Sequence, residues 1–68
     1  MRIQEVRRGV KVQLKKSTRV GEKFIKEGRQ GKIVDYELPN GDGRRKLPVV
    51  KFRGAEGTVE VRLLEVVN

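Results

Sequence analysis

Three aliphatic hydroxyls, those of Ser17, Thr18 and Thr58, are the candidates in this 68-residue chain for nucleophilic catalysis of the familiar kinds. With no histidine and no cysteine in the sequence, each would need a lysine or a carboxylate to activate it. Lys15-Lys16-Ser17-Thr18 ends in the lysine and hydroxyl of a phosphate loop, but the glycines before it and the helix after it are missing. The carboxylate pairs Asp35 with Glu37 and Glu56 with Glu60 have ordinary surface spacing, which a solvated face explains. Without cysteine and histidine the usual zinc ligands and any disulfide are also absent. The residues therefore point to a non-enzyme with no metal and no cofactor. What they can do is electrostatic.

The charge is unevenly placed. Residues 1 to 32 carry eleven basic side chains against three acidic ones, whereas residues 33 to 68 balance at six against six, so the first half accounts for the whole net charge of +8. A coat that served solubility alone would mix signs throughout, as the second half does. A one-signed half raises a field suited to a polyanion. The longest apolar stretches, such as Leu47-Pro48-Val49-Val50, fall far short of the roughly 20 residues that span a bilayer, so no membrane role is expected. Met1-Arg2-Ile3-Gln4-Glu5 lacks the apolar run of a secretory signal, which makes the cytoplasm the expected compartment.

These cations need strands to hold them. Val10, Val12 and Leu14 alternate with Lys11, Gln13 and Lys15, the period of a half-buried strand with a basic outer face. Residues 16 to 30 have no sustained period and predict a long excursion loop, pinned back on the core by Val20, Phe24 and Ile25. A second strand runs over residues 32 to 38, and a change of parity between Ile33 and Val34 predicts a bulge. Asn40-Gly41-Asp42-Gly43 carries two overlapping hairpin dipeptides. A third strand follows over 47 to 52, with Val50 and Phe52 in and Lys51 out. The next turn is placed over 53 to 57 and the fourth strand over 58 to 62. A 3-10 turn at 63 to 65 and a last short strand at 66 and 67 complete five strands; residues 1 to 9 pack as either a strand or a short helix. The chain is too short for more than a single domain with one core.

A basic strand, a long loop, Gly28-Arg29-Gln30-Gly31-Lys32-Ile33-Val34-Asp35, a hairpin and a Leu63-Leu64-Glu65-Val66-Val67 ending together resemble the SH3-like small barrels of the KOW group. These occur in ribosomal proteins and transcription elongation factors. The resemblance implies an all-β, five-stranded SH3-like barrel, with DNA or RNA as partner. Two other groups of small barrels are similar. Barrel subunits of photosynthetic and redox complexes dock on larger proteins, which here would present an acidic surface. The type II dihydrofolate reductases work as tetramers, and one of their strands resembles Gly57-Thr58-Val59-Glu60-Val61-Arg62. Glu60 and Arg62 stand where that family has the glutamine and tyrosine that serve its ligands.

The expected interface is one basic surface across the first strand and the loop. It comprises Lys11, Lys15, Lys16 and Lys32 with Arg19, Lys23, Lys26 and Arg29, all positioned to neutralise phosphates. Arg44, Arg45 and Lys46 form a second group near the hairpin tip, where they could clamp a neighbouring strand or simply keep the turn solvated. With Phe24 and Phe52 assigned to packing, Tyr36 is the one aromatic expected to stack on a base. Weak base preference and binding dominated by counterion release follow from such a surface.

Overall fold

The computed structural model describes residues 2–41 and 46–67. Its elements are a 3-10 turn at Ile3–Glu5 and seven strands: β1 (Lys11–Leu14), β2 (Thr18–Val20), β3 (Lys23–Ile25), β4 (Gln30–Glu37), β5 (Leu47–Phe52), β6 (Ala55–Thr58) and β7 (Leu64–Val66). Two further 3-10 turns lie at Pro39–Gly41 and Val61–Leu63. The described residues are thus mostly β, with no α-helix among them.

Five strands form one antiparallel sheet in the order β6-β5-β4-β1-β7, and β2 and β3 form a separate hairpin. The sheet ends in β6 and β7, which do not pair with each other, so its hydrogen bonding is open rather than closed into a ring. The hairpin lies over the β6 edge. A β-carbon on Gly57 of β6 would stand 2.7 Å from the Gly21 amide nitrogen at the hairpin turn.

Alternation explains the core. Val12 and Leu14 from β1, Ile33 from β4, and Val50 and Phe52 from β5 project to one face, where Val20 and Ile25 of the hairpin, Val59 and Leu64 meet them. No polar or charged residue is buried among those described, so packing alone holds this core. The radius of gyration, 10.8 Å, matches the value of about 11 Å expected for one packed unit of this length.

The bulge falls where parity predicts it. Ile33 pairs with Val50 and Asp35 with Val49, leaving Val34 as the extra residue. The N-terminal segment begins as a 3-10 turn in which the Arg2 N–H donates to Glu5 Oε1 at 2.7 Å, and Val6 beyond it is buried.

Four expectations need correction. Residues 16 to 30 are not an unstructured loop but carry the β2–β3 hairpin, whose turn uses Gly21 at φ +62°. Strands of three residues show too little alternation to reveal themselves. Phe24 is not a pin: neighbouring residues of a strand point to opposite faces, and β3 buries Ile25. The second strand starts earlier than expected, at Gln30, and includes Gly31. A β-carbon on Gly31 would lie 2.8 Å from the Lys51 carbonyl oxygen and 2.9 Å from Val50 Cγ1, so this glycine serves close packing within the strand.

The last correction concerns the end of the chain. The turn after β5 is only Arg53-Gly54, with Gly54 at φ +84° and Phe52 paired to Ala55. The fourth strand of the sheet therefore occupies 55–58 rather than 58 to 62. The 3-10 turn and last strand move forward to 61–63 and 64–66 with it. Val59 is buried as expected, while Val61 is half-buried in the 3-10 turn.

Candidate nucleic-acid interface

The register of the sheet sets three lysines in a line. Lys11 of β1 pairs with Lys32 of β4, and Lys32 pairs with Lys51 of β5. All three are exposed on the face away from the core. Ile33 donates to the Val10 carbonyl and Leu14 to that of Arg29, so alternation makes Lys11 and Lys32 a non-hydrogen-bonded pair, the kind with the shorter side-chain separation. Like charges directly opposed across strands oppose folding. The ion pairs among the described residues are Arg8–Asp35 at 3.0 Å and Arg62–Glu60 at 2.6 Å, so neither relieves the row. Glu56, paired with Lys51, closes it on the β6 side.

Next to the row the face holds two glutamines and, opposite Gln13 on β7, the exposed Glu65. Gln13 pairs with Gln30, whose amide nitrogen donates to Gln13 Oε1 at 3.4 Å. Beyond this pair, two hollows adjoin the end of β1. One, about 320 Å³, is lined by Lys15, Lys16, Arg62 and Leu63, and the Lys15 N–H donates to the Leu63 carbonyl at 2.8 Å. The other, about 610 Å³, is lined by residues 24 to 29. Leu14 holds the second in place, accepting from Gly28 N–H at 2.9 Å and donating to the Arg29 carbonyl at 3.0 Å.

The eight cations expected on one surface are thus distributed over neighbouring groups. Lys11 and Lys32 stand in the row, Lys15 and Lys16 in the smaller hollow, and Lys26 and Arg29 in the larger. Arg19 and Lys23 project from the hairpin, and Lys23 Nζ reaches to 3.3 Å from the position a β-carbon would take on Gly54. Arg44 and Arg45 lie outside the described residues. Lys46 does not stand free at the tip; its ammonium lies 4.9 Å from the centre of the Tyr36 ring.

Arg8 approaches the same ring, its guanidinium carbon 5.5 Å from the centroid, while its Nη2 donates to Asp35 Oδ1. Tyr36 is therefore engaged by two cations of its own chain. The Tyr36 backbone N–H, at 2.8 Å, and then Arg8 hold the Asp35 carboxyl below its ordinary range. A lowered carboxyl pKa adds stability above that ordinary range and loses it as pH falls through the folded value; at this exposed site the effect is small. In an NMR titration, Asp35 should have its midpoint below the usual value near 3.9. Arg8→Ala should move it upward without restoring it fully, because the Tyr36 N–H remains.

Lys51, Arg62 and Phe24 are the residues the sequence reading left out of the site. Lys51 had a signal in its outward place in the alternation. Arg62 and Phe24 had none, because the first lay in a misplaced strand and the second in an unrecognised one.

Searches against protein-family models, curated proteins and solved structures gave no match for this chain.

Proposed function

We propose that this chain is a non-catalytic nucleic-acid-binding module that reads phosphate charge through the outer face of its sheet. The observation that carries the reading is the cross-strand row of Lys11, Lys32 and Lys51. Folding alone would disfavour three opposed ammonium groups, and a polyanion laid across them would remove the repulsion. The flanking cations of the two hollows extend the same field.

The fold reading goes with it. Five strands in the order β6-β5-β4-β1-β7, an excursion between the first two sheet strands and a 3-10 turn before the last support an SH3-like small barrel of KOW type, with the β2–β3 hairpin covering the open side. Such a barrel fits a working place in the cytoplasm beside DNA or RNA.

The test is a salt titration against duplex DNA and structured RNA. Binding should weaken linearly in a log–log plot, with a slope of about −0.9 for each phosphate neutralised on a duplex, and vary little with sequence. Failure to bind either polymer at low salt, with saturable binding to poly-glutamate instead, would replace this reading with docking on an acidic protein. Saturable NADPH binding by a tetramer would replace it with the reductase.

A further inference from the structure

One aromatic ring of the three is open. Phe52 is buried in the core and Tyr36 is engaged by Arg8 and Lys46, but Phe24 is 68% exposed. The hairpin register requires this, since Phe24 pairs with Arg19 on the face opposite the buried Ile25. The ring lines the larger hollow together with Lys26 and Arg29, and Glu27 is the one carboxylate among the lining residues. The loop behind it is fixed: the Glu27 N–H donates to Ser17 Oγ at 2.9 Å, and Gly28 turns at φ +89° with nothing within 4 Å of where a side chain would begin.

We propose that Phe24 is a stacking platform for an unpaired base, so that nucleic acid bound at the hairpin is single-stranded there. The proposal rests on the nucleic-acid reading above. A bare ring rimmed by cations suits a ligand that is planar, aromatic and anionic at one place. A nucleotide has all three properties; a surface of aspartate and glutamate has only the last. In a duplex the base faces are already stacked on one another, whereas an unpaired base offers its face to a side chain irrespective of sequence. Phe24 faces outward from the hairpin, on the side of the core opposite the lysine row, so the hollow has cations of its own. Arg29 precedes β4 and lies an odd number of residues from Lys32, so it serves the hollow rather than the row. A strand with one base on Phe24 would set its neighbouring phosphates on Lys26 and Arg29, which line the same hollow.

Fluorescence anisotropy tests this with a labelled oligothymidylate of about 15 nucleotides, within the range of small barrel sites, and a duplex of the same length. The unaltered protein should bind the single strand more tightly. Phe24→Ala should weaken single-strand binding roughly 5- to 150-fold and leave duplex binding unchanged, and Phe24→Tyr should keep both. Because the ring is exposed, thermal unfolding of Phe24→Ala should match that of the parent. If Phe24→Ala weakens both polymers alike, or neither, the stacking platform is overturned while the polyanion surface stands. If the unaltered protein binds neither polymer at low salt, the nucleic-acid reading falls and the platform falls with it.

Discussion

Reversing Lys11, Lys32 and Lys51 together to glutamate is expected to reduce nucleic-acid affinity about 500-fold or more at 0.1 M salt and to leave the fold intact. The magnitude follows from counterion release: each neutralised phosphate multiplies binding by the reciprocal salt concentration to the power of about 0.9, or about 8-fold at 0.1 M, and three such contacts compound. Repulsion from the new carboxylates adds to the loss, since three reversals of two units each take the net charge from +8 to +2. The single substitution Lys32→Glu separates function from stability more sharply. It places one carboxylate between Lys11 and Lys51, turning two like-charge pairs into two opposite-charge pairs. Thermal unfolding should rise by about 2–6 °C while affinity falls by about 8-fold or more. A lysine row that merely coated the surface would give the first change without the second. Equal affinity for Lys32→Glu and its parent, measured across a salt series, would remove the row from the interface.

β1 and β5 were legible because each has at least two inward residues in phase, Val12 with Leu14 and Val50 with Phe52, whereas β6 and β7 were expected a few residues too late. The bulge was legible for a related reason: Ile33 and Val34 break phase inside a run that has no turn residue. The hairpin was not legible, since β2 and β3 have three residues each and one buried residue apiece, and Gly21, Gly28 and the surrounding charges read as loop. Once the hairpin is missed, Phe24 and Ile25 look alike. Pairing separates them, and pairing is a tertiary fact.

The site was legible in kind and not in arrangement. Alternation places Lys11, Lys32 and Lys51 on outward faces, yet nothing local says that they share one line. That alignment depends on the register between β1 and β4, and on the bulge and turn that set β5 against β4. Charge counting favoured the first half of the chain and so overlooked Lys51 and Arg62, which the fold brings to the same cations from the electrically balanced half.

Gly57→Ala is expected to destabilise the protein and weaken single-strand binding together. Gly57 lies in β6, paired with Val50, where a turn was expected; its role is to let the hairpin approach. A β-carbon there would stand 2.7 Å from the Gly21 nitrogen and 3.3 Å from its Cα, and one on Gly21 would stand 2.9 Å from the Glu56 carbonyl oxygen. Both obstacles are backbone, so no rotamer change relieves them, and β6 or the hairpin must shift. In an unobstructed strand, replacing glycine by alanine stabilises, because it restricts the unfolded chain. The sign of the effect is therefore diagnostic. Overpacking of this kind costs about 1–3 kcal/mol, a large share of the roughly 3–5 kcal/mol available to so small a core, and should lower the unfolding temperature by about 5–20 °C. The function follows the geometry. The displaced hairpin carries Phe24 and Val20, whereas Lys11, Lys32 and Lys51 belong to β1, β4 and β5, so single-strand affinity should fall while duplex affinity changes little. Thr58→Ala, one residue along on an exposed position, should do neither. A melting curve for Gly57→Ala at or above that of the parent would mean that the hairpin is not seated on β6, and the position assigned to Phe24 would go with it.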